Sequence, residues 1–229
     1  MNLSSILIQA TNVAITSPEA EEIRLSLWEL AKEGGWIMII LAIFSIIAVY
    51  IFSERFITIN KASKRDDNFM NLIRNFMIEG KLDEAKDLCK QTDTPISRMI
   101  EKGISRIGKP LNDIQTAIEN VGNLEVSKLE KGVALIGMIS GAAPMLGFLG
   151  TVTGMVKAFF DMSTAGNNID IQLLSGGIYE AMVTTVGGLI VGIIANFLYS
   201  ILVGQINKVI FMLEARTMEF MDLLHEPAK

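Results

Sequence analysis

Glu180 is the only charged residue in the 37 positions between Asp170 and Lys208. A carboxylate in such a setting can exchange a proton. Buried in a membrane it costs roughly 2.5–3.5 kcal/mol, and such a residue marks an ion path or a partner by default. If the helix instead starts near Glu180, the carboxylate simply sits at a helix amino end, where it is favourable. Thr151, Thr184 and Thr185 supply hydroxyls in equally apolar surroundings. A hydroxyl can orient water along a pathway, or it can bond its own helix backbone and do nothing more. Other chemistries fare poorly. His225 is the single histidine and Cys89 the single cysteine, so a metal site, a Ser-His-Asp triad and a disulfide framework are not expected. Gly103-Ile-Ser-Arg-Ile-Gly108-Lys109 approaches a phosphate-binding loop, but Pro110 stands where magnesium needs a hydroxyl, and a helix precedes it. No enzyme activity, cofactor or metal is expected. A net charge of −5 without a strongly basic run excludes a nucleic-acid footprint.

The elements that must hold these residues are set by where charge is missing. Of 229 residues, 50% are hydrophobic and only 20% charged, and the mean hydropathy is +0.42. Gly34 to Ser53 is a run of 20 uncharged residues and Gly132 to Val156 a run of 25; the stretch around Glu180 is the third. About 20 apolar residues cross the hydrocarbon core as a helix. Three buried helices of that kind would need a polar shell that so short a chain can hardly provide. The expectation is an all-α integral membrane protein with three transmembrane helices, a cytoplasmic helical loop domain and long helices extending into the cytoplasm, with lipids as its solvent.

The segment from Glu54 to Lys131 carries 14 of the 20 basic residues, whereas the first 33 residues carry two against five acids. The positive-inside rule then places the amino terminus outside and the large loop and tail in the cytoplasm. The expected divisions are a periplasmic segment 1–33, spans at 34–53, 132–156 and 171–207, a cytoplasmic domain 54–131, a periplasmic loop 157–170 and a cytoplasmic tail 208–229. Cys89 falls in a reducing compartment. The first residues lack the basic start of a cleaved signal, and Leu3 to Ile15 reads either as a weakly amphipathic helix on the outer face or as disorder.

In the loop domain, Asn68–Glu79 has helical apolar spacing and ends at Gly80. Leu82–Lys90 opens with Asp83 and Glu84, and Thr94-Pro95 is an N-cap followed by proline. Gly108-Lys109-Pro110 ends that helix, and Leu111 to Val156 reads as one long helix entering the membrane. On the second span Gly137, Gly141, Pro144, Thr151, Gly154 and Ala158 fall on one seam. On the third, Ala181, Thr185, Gly188, Gly192 and Ala195 do the same. Small residues mark close helix packing in lipid, within a subunit or between subunits.

Ala143-Pro-Met-Leu-Gly-Phe-Leu-Gly-Thr-Val-Thr-Gly154 and Ile178-Tyr-Glu-Ala-Met-Val-Thr-Thr-Val-Gly-Gly-Leu189 resemble the motifs of the MotA/TolQ/ExbB proton-channel family. Three spans rather than four favour its ExbB and TolQ branches, ExbB most. Glu79-Gly-Lys-Leu-Asp-Glu-Ala-Lys-Asp-Leu-Cys89 is similar to the family's cytoplasmic helices. The resemblance implies a stator in the bacterial inner membrane, usually a pentamer, enclosing helices of a single-span ExbD-like subunit and acting with a TonB-like protein. It implies pore roles for Thr151, Glu180 and Thr185, puts Pro144 at a motif position, and implies a deep Glu180. Since Glu180 is the only acid within the spans, a proton relay needs a second carboxylate from a partner. A TolQ-like role in envelope maintenance and a passive membrane scaffold are the competing readings. A self-sufficient transporter would show repeats and interrupted helices, and the three unlike spans show neither.

Overall fold

The computed structural model describes residues 34–63, 67–164 and 171–225, which form seven α-helices and, among these residues, no strand. The protein is an all-α integral membrane protein. Helix α1 spans Gly35–Ala62, α2 Asp67–Ile78, α3 Leu82–Thr92, α4 Pro95–Ile104, α5 Leu111–Glu130, α6 Val133–Thr164 and α7 Ile171–His225. The outer-face reading of Leu3 to Ile15 lies outside the described residues. Helices α1, α6 and α7 are each long and apolar enough to cross a membrane. They pack on one another, yet Trp36, Ile39, Ile46 and Tyr50 of α1, Met145, Phe148 and Phe160 of α6, and Ile193 and Phe197 of α7 stay exposed. So much uncovered apolar surface suits lipid or neighbouring subunits, not water.

The short helices follow local chemistry. Glycine at φ +71 closes the turn after α2 at Gly80, since that left-handed backbone strains any side chain. Thr94 caps α4 with a reciprocal box: Ser97 N–H donates to the Thr94 hydroxyl, and Thr94 N–H donates to Ser97 Oγ. Pro95 occupies the first turn, where its missing N–H costs nothing. Helices α2–α5 then bury Ile73, Cys89, Ile100 and Ile118 in one core with Ile59 of α1 and Leu213 and Phe220 of α7.

One expectation fails. Leu111 to Val156 is not a single helix. It breaks at Lys131, extended at ψ 121, and at Gly132, whose φ is +81. Gly132 permits the turn, and it falls beside Ile51 of α1 where the charge-free run begins. Arg55 clamps the same level by donating from Nη1 to the carbonyl of Lys128 at 3.0 Å. The break between α5 and α6 thus coincides with the start of the charge-free run. Helix α6 continues to Thr164, into the expected 157–170 loop, and α7, one of the long helices expected to extend beyond the membrane, runs unbroken for 55 residues to His225. At 1.5 Å per residue α7 is about 80 Å long, far beyond a hydrocarbon core of roughly 30 Å.

Candidate ion pathway between α6 and α7

Helices α6 and α7 run antiparallel with almost no side chain between them. A Cβ built on Gly188 would lie 2.6 Å from the carbonyl oxygen of Ala143 and 2.8 Å from Cα of Gly147. One on Gly192 would meet Pro144 Cγ at 2.5 Å, and one on Gly154 would meet Ala181 Cβ at 2.9 Å. One on Gly137 would meet the Tyr199 ring at 3.1 Å. Each of these glycines therefore belongs to a seam within the protomer. Gly141 differs: it is exposed, with nothing within 4 Å of its built Cβ. Gly147 and Gly150, which the seam reading passed over, are at its centre, Gly150 against Thr184 and Gly147 against Gly188. Their signal was the run Ala143, Gly147, Gly150, Gly154 at steps of four, three and four.

Close backbone approach puts hydroxyls onto carbonyls. Thr185 Oγ1 donates across the seam to Gly147 O at 3.1 Å, and buried Thr184 donates to Ala181 O at 2.7 Å. Thr151 donates to Phe148 O of its own helix at 2.6 Å. Each hydroxyl has committed its proton, which leaves oxygen lone pairs as acceptors. Pro144 inside α6 removes the N–H that would have bonded Ser140 O, and Gly192 packs against both groups.

Glu180 is off this seam, its carboxylate against the start of α1. Gly177 abuts Ala158 and Ala181 abuts Gly154, so Glu180 stands level with Met155, just inside the end of the charge-free run of α6. It is also level with the first residue of α1: a Cβ on Gly35 would lie 2.8 Å from Glu180 Oε1. From Gly35 to Ser53, α1 rises about 28 Å, close to the thickness of a hydrocarbon core. Glu180 thus lies near one end of the charge-free runs of α1 and α6. Helix α7 starts at Ile171, more than two turns before Glu180. Thr185 and Thr151 lie further in.

A bulky residue at Gly188 must push the two backbones apart. Gly188→Leu is expected to destabilise the protomer by about 1–3 kcal/mol or more, the usual range for overpacking, and to lower the yield of folded protein. Gly141→Leu meets no neighbour within the protomer and should leave it intact. Denaturant titration of both purified variants checks this, and a Gly188→Leu protein as stable as wild type would refute the seam.

Residues 91–215 match the MotA/TolQ/ExbB proton channel family. A putative biopolymer transport protein ExbB homolog of Methanothermobacter thermautotrophicus is 29% identical over 187 residues, 81% of this chain and 66% of that protein. The chain thus spans just under two thirds of that relative's length. A putative biopolymer transport protein ExbB-like 3 of Synechocystis is 29% identical over 164 residues, 70% of this chain and 77% of its own. The Tol-Pal system protein TolQ of Haemophilus influenzae is 31% identical over 106 residues, 46% of each chain. The matched region includes α4 and α5 of the loop domain, all of α6 and the line from Glu180 through Thr185. This multi-pass membrane protein belongs to the MotA/TolQ/ExbB proton channel family.

Proposed function

We propose that this chain is an ExbB-like stator subunit of the inner membrane. With a single-span, ExbD-like partner it conducts protons and turns the proton motive force into work for a TonB-like protein and outer-membrane transport. The observation that carries this reading is the pair of half-buried hydroxyls, Thr185 bonded across the α6–α7 seam and Thr151 beside it, with Glu180 as the only acid of the expected spans, in a chain of the proton-channel family. Glu180 exchanges protons at the mouth, and the hydroxyl oxygens accept from water deeper in. Glu180 is the only acid within the expected spans, so the partner supplies a second, and several copies of the chain, five by the family resemblance, enclose it. Vesicles containing the chain alone should therefore hold an imposed pH gradient. Vesicles that also contain the single-span partner should dissipate it. Leakage by the chain alone would overturn the need for a partner acid. The match to TolQ supports a second reading, a stator for envelope maintenance. Restoration of a strain lacking TolQ, but not of one lacking ExbB, would favour it.

Orientation is testable by labelling, with one condition set by Cys89. Its side chain is 1% exposed, and burial, with Glu101 adding to it, pushes the thiol up to about 12. The thiolate is the reactive form, so native Cys89 stays unlabelled whichever side it occupies. In a Cys89→Ala background, Ser163→Cys and Asn112→Cys place thiols at exposed sites on opposite ends. An impermeant maleimide is expected to label the first in intact cells and the second only after permeabilisation. The reverse result would invert the topology.

A further inference from the structure

We propose that the amino end of α1 positions the Glu180 carboxylate, and that Gly35 is the residue that admits it. This rests on the reading of Glu180 as a group in the ion path. Three observations converge. The built Cβ of Gly35 falls 2.8 Å from Oε1 of Glu180, so any side chain there displaces the carboxylate. Gly35 has φ +63, a backbone that glycine adopts at no steric cost. The cap of α1, Gly34, makes no side-chain cap bond, and the first turn of α1 contains no acid.

The first N–H groups of a helix have no partner inside it. An Asp or Glu in the first turn, or a capping side chain, commonly serves them. Among the described residues, the acid that lies against that end of α1 is Glu180, contributed by α7. Further contacts fix the approach: built Cβ atoms on Gly187 and Gly34 would meet Met38 Sδ at 2.8 Å and Val183 Cγ1 at 3.4 Å. Three glycines thus bring the start of α1 down onto α7 beside the carboxylate.

The choice of a helix end has a chemical consequence. A lysine or arginine at that place would bind the carboxylate with a full charge and occupy its oxygens. A helix amino end presents roughly half a charge. It orients the group and leaves it available to water and to a partner. Gly35 is accordingly a positioning residue that acts through Glu180.

The test uses the full chain reconstituted with its single-span partner, with proton flux read at equal assembled protein. Gly35→Ala is expected to lower flux about tenfold to a hundredfold, the scale on which a displacement of about 1 Å acts. Gly80→Ala imposes a similar backbone strain at φ +71 with nothing within 4 Å, and should conduct like wild type. Glu180→Asp withdraws the carboxylate by one methylene and makes room for the new methyl group. Gly35→Ala combined with Glu180→Asp should therefore conduct no less than Glu180→Asp alone. Where Ala lowers assembly, Gly35→Asn adds the same Cβ with less strain, because Asn tolerates left-handed backbone. Wild-type flux in Gly35→Ala, beside a dead Glu180→Gln, would overturn the positioning role and leave the proton-path reading intact. Fully multiplicative losses in the double variant would also overturn it, since independent sites add in free energy. Wild-type flux in Glu180→Gln would remove the reading beneath it.

Discussion

Glu180→Gln is expected to reduce proton flux and coupled transport to background while the protein inserts, assembles and binds its partner normally. The substitution keeps the size of the side chain and its capacity for hydrogen bonding, but it cannot ionise. Packing should not change, because Glu180 is half-buried and its neighbours at Gly177 and Ala181 meet α6 through backbone and Cβ atoms. Insertion should be no harder, since an amide costs less than a carboxylate in an apolar layer. Loss of flux with normal assembly would then report titration and not folding. Thr185→Val separates the two kinds of group on the path. It removes the donor to Gly147 O at 3.1 Å and an acceptor oxygen, but no titratable site, so it should give a partial defect. The measurement is flux in vesicles containing the partner, at equal protein loading. Wild-type flux in Glu180→Gln would reduce Glu180 to a residue that merely closes the end of α1.

The spans and most loop helices were readable because their causes are local. Runs without charge, a glycine after an apolar stripe and a threonine before a proline act within a few residues. Gly132 was in plain view too, at the start of a charge-free run, but a single glycine between two helical patterns does not by itself announce a φ of +81. The seam glycines were legible by their spacing; which surface they face was not. Gly188 meets Gly147 inside the protomer while Gly141 meets nothing, and period alone treats them alike. Glu180 is the sharper case. Its type announced chemistry, but its depth depends on where α1 begins and on the register of α6 against α7. The importance of Gly35 follows from that same register, because a glycine at a span boundary reads as ordinary until a carboxylate is found beside it.

Glu125 supports a second large effect, on stability. It lies on α5 with its side chain 5% exposed, bonded to Arg98 Nη2 and Lys128 Nζ, each at 2.6 Å. Burial alone would raise its pKa, but the hydrogen bonds and charges of Arg98 and Lys128 outweigh burial and hold it below the ordinary value. Arg98 is raised, chiefly by its bond to Glu125. The two cations are unequal, with side chains 35% exposed for Arg98 and 66% for Lys128. Lys128→Ala removes a solvent-screened partner and should cost about 0–1 kcal/mol. Arg98→Ala leaves a buried carboxylate with one loose partner and should cost about 3 kcal/mol, the low end for breaking a buried pair. Because the folded pKa of Glu125 is depressed, its contribution is complete at neutral pH. It fades as pH falls below about 4.3, the unfolded value. Replacing the pair together, Arg98→Met with Glu125→Leu, should recover most of the loss and flatten that acid dependence, since an apolar pair of similar volume avoids desolvating two charges. Hydrogen exchange of the α4 and α5 amides in the intact protein, followed from neutral pH down to about pH 2, where the loss is nearly complete, reads both effects. Equal costs for Arg98→Ala and Lys128→Ala would show that Glu125 is solvated and that the pair does not hold α4 to α5.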